Sequence, residues 1–288
     1  MPEARIGVIG GSGFYNMPGI EDVKEVPVDT PFGKPSDALT IGRLEGVSVA
    51  FLPRHDRGHT VTPGELNSRA NIYALKSLGV ERIIAVTACG SFKEELAPGD
   101  LVIPDQIIDR TKGRPSSFFG DGIVGHVLFD EPFCPELSRL LYQTGREVGG
   151  VTIHQGGTFL TMEGPAFSTR AESRLHKSWG VDIIGMTAAP EAKLAREAEI
   201  CYASIAGVTD YDCWKDDDEP TPIDQIIATL RRNTDTIREI IRRAVAAVRE
   251  ERTCGCASAL RTAIVTSPDA ITPALKKKLD LIIGKYIK

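Results

Sequence analysis

Apolar residues recur along the chain in two patterns: short continuous runs, and longer stretches in which they stand three and four residues apart. Continuous runs bounded by turn residues predict buried strands, here at 4–11, 47–53, 81–91, 100–109, 181–187 and 200–209. The second spacing predicts amphipathic helices, here at 64–79, 135–148, 168–178, 190–199, 222–251 and 272–286. Strands and helices therefore alternate along most of the chain.

This alternation predicts an α/β fold: a single domain with a central, largely parallel mixed β-sheet that is flanked by helices. No linker, repeat or low-complexity stretch divides the chain. Residues 1–252 are expected to form the main domain. Residues 253–288 are expected to form a C-terminal extension, with a Cys-Gly-Cys motif and a terminal helix, packed on the same domain.

Anion-binding groups follow several of the predicted strands, where ligands of α/β sheets are usually bound. The glycine-rich turn 10–14 carries Ser12, and backbone N–H groups in such a turn can approach an anion. Residues 53–60 hold two arginines and two histidines, including Arg54 and His55, which suit a phosphate group. Thr87 and Thr187 add hydroxyls at two more strand ends. Together these groups predict a phosphate site.

A dinucleotide fingerprint is the alternative interpretation of the glycine-rich turn. Gly11 and Gly13 have the required spacing, but Asn16 stands where the third glycine belongs. Pro18 and Gly19 also interrupt the helix that should follow. The turn therefore does not match that motif.

Asp210 and Asp212 follow the last predicted strand and are separated by one residue. In an extended segment their side chains point to the same side, about 7 Å apart or less. Such a pair can accept a hydrogen bond from an amino group and, when one is protonated, donate one to a ring nitrogen. It could also serve as a glycosidase-like acid and nucleophile, or belong to a solvated acidic loop leading into 216–219. Repulsion between the two predicts a raised pKa for one of them.

Composition excludes two classes of function. The chain has 288 residues, 42% hydrophobic residues and a net charge of −5, and its only dense basic run is the lysine triplet 276–278. A nucleic-acid-binding surface is therefore not expected. No apolar run approaches the ~20 residues that span a bilayer, and the N-terminus lacks a signal-peptide layout, so no membrane partner and a cytoplasmic location are expected.

The six cysteines suggest packing rather than catalysis. Cys89, Cys134, Cys201 and Cys213 lie in or beside apolar segments and are expected to be small buried residues. Cys254 and Cys256 could be half of a metal site, but no cysteine or histidine stands at zinc spacing around them. They could also form a strained, redox-active disulfide. No metal site is predicted.

Long motifs give the chain a resemblance to a known family. They are GVIGGSG at the start, VDTPFGKPSDAL at 28–39, PRHDRGHT, ANIYALK, the segment 86–111, EPFCP, MEGPAFSTRAES at 162–173 and the segment 186–215. Over residues 5–245 the chain resembles the 5′-methylthioadenosine phosphorylases of the purine nucleoside phosphorylase superfamily. The resemblance makes 1–252 a nucleoside phosphorylase domain. It implies the reaction of methylthioadenosine with phosphate to give adenine and methylthioribose 1-phosphate.

The resemblance also implies a role for each matching position. Phosphate would be held by Ser12, Arg54, His55, Thr87, Ala88 and Thr187. The nucleoside would contact Met186 under the ribose, Phe167 and Ser168 against the base, and His59, Ile223 and Ile227 around the methylthio group. Asp210 and Asp212 would lie on the N6/N7 edge of the base. The chemistry of the leaving base suggests that Asp210 donates a proton to N7 and Asp212 binds the amino group, with the reverse assignment left open.

The family reaction needs no metal or organic cofactor, since inorganic phosphate is a co-substrate, and the family implies a homotrimer or a dimer of trimers. Three alternatives stay open. They are a 6-oxopurine or methylthioinosine phosphorylase, a hydrolytic nucleosidase, and a non-catalytic nucleotide-binding module.

Overall fold

The computed structural model describes residues 3–11, 14, 17–215 and 221–287. Its strands are β1 (Ile6–Gly10), β2 (Glu21–Val26), β3 (Leu39–Leu44), β4 (Val47–Pro53), β5 (Arg82–Ser91), β6 (Leu101–Ile103), β7 (Gln106–Arg110), β8 (Ile153–Gln155), β9 (Thr158–Met162), β10 (Ile183–Gly185) and β11 (Cys201–Asp210). Its α-helices are α1 (Ser68–Ser77), α2 (Pro135–Val148), α3 (Arg170–Ser178), α4 (Ala188–Glu197), α5 (Ile223–Ala247) and α6 (Pro273–Ile283).

Strand β5 is the centre of one mixed sheet. It pairs in parallel with β1 on one side and with β11 on the other, and β1 pairs in parallel with β4. At the carboxyl end of β5, Gly90 and Ser91 pair antiparallel with β10, which continues the sheet through β9 to β7. The carboxyl ends of β1, β4, β5 and β11 therefore meet at one edge of the sheet.

Two helical layers cover the sheet and bury apolar side chains on both of its faces. Helices α1, α4 and α6 pack on one face through residues such as Ile72, Leu194 and Leu279. Helices α2 and α5 pack on the other face through residues such as Leu141 and Ile241. Because both faces are covered, the central strands are continuous apolar runs, which is the pattern that predicted them.

The α/β class and the largely parallel mixed sheet are confirmed, and the structure refines several elements. The run 100–109 forms two strands rather than one, since Pro104 has no N–H to continue a ladder. The long helix ends at Ala247, before the predicted 251. Strands β2, β3, β8 and β9 were not predicted.

The C-terminal segment returns to the main sheet. After residues 254–256, helix α6 places Leu275, Leu279 and Ile283 in the same apolar layer as α1 and α4. The Tyr286 hydroxyl donates to a carboxylate oxygen of Glu199 at 2.5 Å. Among the described residues, no helix has the length and apolar content required to cross a bilayer.

Candidate active site

A cavity of about 320 Å³ opens at the edge where the four central strands end. Its lining comes from the turn after β1, the segment after β4, the ends of β5 and β11, the start of α4 and one face of α5. Of the residues predicted for the site, it brings together Arg54, His55, His59, Thr87, Ala88, Phe167, Met186, Thr187, Asp210 and Asp212. Ser12 lies outside the described residues, while its neighbour Gly11 lines the cavity.

Arg54 is held rigidly by a buried carboxylate. Its Nε and Nη2 atoms donate to the two oxygens of Glu191 at 2.5 and 3.1 Å, and Nη1 donates to the carbonyl oxygen of Val86 at 2.8 Å. Arg54 and Glu191 are 3% and 1% exposed. Burial opposes the charge of Arg54, but the attraction of Glu191 outweighs it and raises the pKa of Arg54. Two of the five N–H donors of Arg54 are left for a ligand.

His55 is a neutral imidazole with a defined tautomer. Its Nδ1 lies 2.9 Å from the carbonyl oxygen of Val61, which can only accept, so Nδ1 carries the proton and Nε2 is an acceptor. Burial and the neighbouring charge of Arg54 lower the pKa of His55 to about 4. The ring of His59 stacks on it at 4.6 Å between centroids. At neutral pH Nε2 of His55 can therefore accept a hydrogen bond from a protonated oxygen of a ligand. The ring adds no positive charge to the site.

Thr187 carries a buried hydroxyl without a partner. It is 5% exposed, its Oγ1 makes no hydrogen bond with any described residue, and it stands at the N-cap of α4 without capping that helix. A buried hydroxyl left unpaired costs about 1–3 kcal/mol, and a helix N-terminus favours a negative charge. This hydroxyl is therefore suited to donate to an anion in the cavity. By contrast, the hydroxyl of Thr87 donates to the carbonyl oxygen of Ala88 at 3.1 Å.

Asp210 and Asp212 both line the cavity. Burial raises the pKa of Asp210, and the charge of Asp212 adds to the effect, while a 2.6 Å hydrogen bond from Thr209 to Oδ1 opposes it. Burial also raises the pKa of Asp212, opposed by nearby hydroxyls, and its Oδ2 accepts no hydrogen bond of good geometry. The pKa is thus raised at both carboxyls and mainly by burial, whereas repulsion within the pair was expected to raise the pKa of one.

The segment after β11 is fixed by its aromatic side chains. The Tyr211 hydroxyl donates to the carbonyl oxygen of Glu94 at 2.9 Å, and Trp214 Nε1 donates to that of Ser91 at 2.7 Å. A β-bulge between Val208 and Asp210 shifts the register to Gly90 of β5. The two aspartates are therefore on a structured segment, which argues against the interpretation as a solvated loop.

Met186 and Phe167 belong to the apolar part of the lining. The Met186 carbonyl accepts from Nη1 of Arg114 at 2.6 Å, and the same guanidinium is 3.0 Å from a carboxylate oxygen of Glu163. Phe167 is 60% exposed at the mouth of the cavity. Ser168 lies in an adjoining hollow with Asp212, and its carbonyl accepts from the thiol of Cys213 at 3.2 Å.

The face of α5 that lines the cavity differs from the predicted one. Ile226 and Leu230 contact the cavity, whereas Ile223 and Ile227 are 64% and 44% exposed on another face of the helix. Residues four apart share a helix face. Ile226 and Leu230 therefore lie on one face of α5, and Ile223 and Ile227 lie on another. Within one chain, Ile223 and Ile227 do not enclose the site.

Three residues that build the site were missed in the sequence. Glu191 and Arg114 resemble surface charges there, because the charged groups that they contact, Arg54 and Glu163, lie 137 and 49 residues away in the chain. Gly90 shares a strand end with small residues, and a methyl group on it would lie 3.3 Å from Oδ2 of Asp210 and 3.4 Å from Cβ of Asp212. Glycine thus lets the carboxylate pair lie directly against β5. Only the small residues around Gly90 gave a usable signal.

The arrangement brings anion-binding groups, apolar side chains and a pair of carboxylates with raised pKa together around one cavity. Comparison with known proteins agrees with this. The phosphorylase superfamily model matches residues 5–246. Relatives named S-methyl-5′-thioadenosine phosphorylase from Geobacter sulfurreducens and Koribacter versatilis are each 56% identical, over 99% of this chain and 100% and 97% of theirs.

Solved structures agree over the full length. A methylthioadenosine phosphorylase from an antarctic soil metagenomic library superposes with a TM-score of 0.93 at 46% identity, covering 98% of this chain and 99% of that chain. A methylthioadenosine phosphorylase from Schistosoma mansoni in complex with adenine gives 0.82 at 38% identity, with 98% of each chain covered.

Proposed function

The chain belongs to the phosphorylase superfamily, and from that membership we propose that it is an S-methyl-5′-thioadenosine phosphorylase. The reaction transfers the methylthioribosyl group from adenine to inorganic phosphate and gives 5-methylthioribose 1-phosphate. The observation that supports it best is that the unpaired Thr187 hydroxyl, the buried Arg54 and the carboxylates of Asp210 and Asp212 line one cavity.

In this proposal phosphate binds at Thr187, Arg54, Thr87 and Ala88, and the hydroxyl of Ser12 is a further proposed donor to it. Monohydrogen phosphate has one hydroxyl, which can donate a hydrogen bond to Nε2 of neutral His55. The histidine therefore orients the phosphate and adds no charge to the site. Glu191 neutralises much of the charge of Arg54 and holds its fork in place. The phosphate held in this position then attacks the sugar carbon as the glycosidic bond breaks.

The leaving adenine needs a proton as negative charge develops on its ring. Asp210 has a raised pKa and is proposed to donate to N7, which is general-acid assistance of about 10²–10⁴ in rate. Asp212 has an oxygen without a well-aligned partner and is proposed to accept from the 6-amino group. The oxygen of a 6-oxo group is a hydrogen-bond acceptor and would face another acceptor, the Asp212 carboxylate, so 6-aminopurines are favoured.

The methylthio group is proposed to lie between His59 and the α5 face of Ile226 and Leu230, since a thioether needs apolar contact only. We further propose a homotrimer in which a neighbour covers this end of the site. Phe167, Ile223 and Ile227 are large, exposed and apolar beside the cavity in one chain. Light scattering tests the trimer, and a monomer in solution would contradict it. A cytoplasmic location and a reaction without metal or organic cofactor belong to the same proposal.

The test is a substrate panel in phosphate buffer. Methylthioadenosine, adenosine and methylthioinosine are supplied at equal concentration, and the free base is measured by chromatography. Adenine release from methylthioadenosine at the highest kcat/KM is the expected result. A higher kcat/KM for methylthioinosine would assign a 6-oxopurine enzyme. Release of no base from any of the three nucleosides would contradict the proposal and favour a non-catalytic binding module.

A further inference from the structure

Four cysteine thiols meet at the end of the sheet opposite the candidate active site. Cys134 directly precedes α2, Cys201 is the first residue of β11, and Cys254 and Cys256 belong to the C-terminal segment. Their four sulfur atoms all lie within 4.8 Å of one another. Since Asp210 is the last residue of β11, the cluster is about 30 Å from the carboxylate pair.

This cluster corrects the sequence-based view of the cysteines. Cys134 and Cys201 are buried, as expected, but they are not separate apolar fillers. The partners that Cys254 and Cys256 lack in the local sequence come from α2 and β11. Zinc motifs in sequence depend on short spacings, so ligands supplied by three distant segments leave no such signature.

We infer that these four thiols bind one zinc ion as a tetrathiolate, forming a structural site that joins the C-terminal segment to the main sheet. A tetrahedral zinc–thiolate site has Zn–S distances of ~2.3 Å, which places any two sulfurs ~3.8 Å apart. All six sulfur pairs here fall within 4.8 Å, with Cys201 and Cys254 at 3.4 Å. Four thiols converging on one point is more than a disulfide requires, because a disulfide constrains only two sulfurs.

The donor set selects the class of metal. Four thiolates favour zinc or another thiophilic ion, and exclude the oxygen-preferring magnesium and calcium ions. All four positions of a tetrahedral ion are filled by protein, and three of the thiols are buried. A closed site of this kind stabilises a fold and leaves no position for a substrate or for water.

The surroundings suit the charge of the site. Four thiols release four protons on binding Zn²⁺, so the metal with its ligands carries a charge of −2. The N-terminus of α2 begins directly after Cys134 and favours this negative charge. A cavity of about 320 Å³ borders Cys134 and Cys201 and is also lined by the side chains of Arg82, Arg139 and Arg249.

The segment carrying two of the ligands is held in place by contacts that do not involve the thiols. One carboxylate oxygen of Glu136 accepts from the N–H and the hydroxyl of Thr253, at 3.0 and 2.8 Å, and from the N–H of Cys254 at 3.1 Å. Cys254 is thus positioned next to Cys201 before any metal binds. Metal binding then links α2, β11 and the segment that leads to α6.

The test is metal analysis of the full-length protein, purified without added metal or strong chelator. Elemental analysis is expected to find one zinc ion per chain. Exchange for cobalt under anaerobic conditions is expected to give thiolate-to-cobalt charge-transfer bands and the intense visible bands of tetrahedral cobalt. In Cys256→Ser the zinc content is expected to fall to near zero. In Cys213→Ser, a cysteine outside the cluster, it is expected to stay at one per chain.

Several results would overturn the inference. They are the absence of zinc from the wild-type protein, iron in its place, full zinc retention in Cys256→Ser, and a mass showing two disulfides among these four cysteines. If Cys256→Ser does not fold, the cobalt spectrum of the wild-type protein decides, since it requires no variant. Octahedral cobalt without charge-transfer bands would then contradict the thiolate site.

Discussion

Replacing Thr187 by valine should separate stability from phosphate binding, with opposite effects on the two. The hydroxyl of Thr187 is buried and makes no hydrogen bond with a described residue, and it does not cap α4. Valine has nearly the same shape without the polar group. Because an unpaired buried hydroxyl is unfavourable, the free energy of unfolding in phosphate-free buffer should stay unchanged or rise by up to about 1 kcal/mol.

The same change should weaken phosphate binding. A hydrogen bond to a charged group contributes about 1.5–3 kcal/mol, which corresponds to a KM for phosphate about 10- to 150-fold higher. The KM for methylthioadenosine at saturating phosphate should change far less. Phosphate titrations of adenine release, together with urea unfolding in phosphate-free buffer, measure both quantities on one preparation.

Thr144→Val is the matched control, because Thr144 is equally buried but lies in α2 on the other face of the sheet. Its KM for phosphate should equal that of the wild type. The reasoning would be refuted if Thr187→Val lost more than about 1 kcal/mol of stability while its KM for phosphate stayed unchanged. That outcome would make the hydroxyl a structural group.

Three further predictions concern charged groups. Asp210→Asn should lower kcat far more than phosphate affinity, and an equal loss in kcat and in phosphate affinity would contradict the acid role. The wild-type kcat should fall as pH rises through the raised pKa of Asp210, because the acid form is then lost. Arg54→Met removes the ion-pair partner of the buried Glu191, which then keeps only the hydrogen bond from the Tyr202 hydroxyl; the change should cost about 3–5 kcal/mol of stability and raise the KM for phosphate. The double variant with Arg54→Met and Glu191→Met should regain most of that stability, measured by urea unfolding. Its KM for phosphate should stay as high as that of Arg54→Met. Burial raises the pKa of Glu197 to about 7, so its ionisation in the folded state is unfavourable. Between its ordinary pKa and about 7 the free energy of unfolding should fall with rising pH by about 3 kcal/mol, a slope that Glu197→Gln should reduce.

Sequence periodicity located the elements that the fold buries on both faces. The long apolar runs became β1, β4, β5 and β11, and the helix at 135–148 has the predicted bounds. Strands β2 and β9 were missed for different reasons. Strand β2 is an exposed edge strand with four charged residues before its second valine, while β9 is a five-residue strand that follows two glycines. Neither gives a pattern that stands out from loop sequence.

The candidate site followed the same rule. Arg54, Thr87 and Asp210 could be predicted because each directly follows a buried apolar run of a strand, where topology determines the position of a side chain. Glu191 and the cysteine cluster could not be predicted, because their partners are brought together only by the packing of distant segments. The cavity face of α5 could not be chosen either. The helix carries isoleucines on more than one face, and sequence gives its rotation only approximately.

The central claim is that phosphate, rather than water, cleaves the nucleoside. The most direct measurement incubates the protein with methylthioadenosine, with and without phosphate, and quantifies adenine and both sugar products by mass spectrometry. We predict that adenine is released only when phosphate is present, together with an equal amount of 5-methylthioribose 1-phosphate. Adenine released at the same rate without phosphate, together with free methylthioribose, would contradict the account and identify a hydrolase.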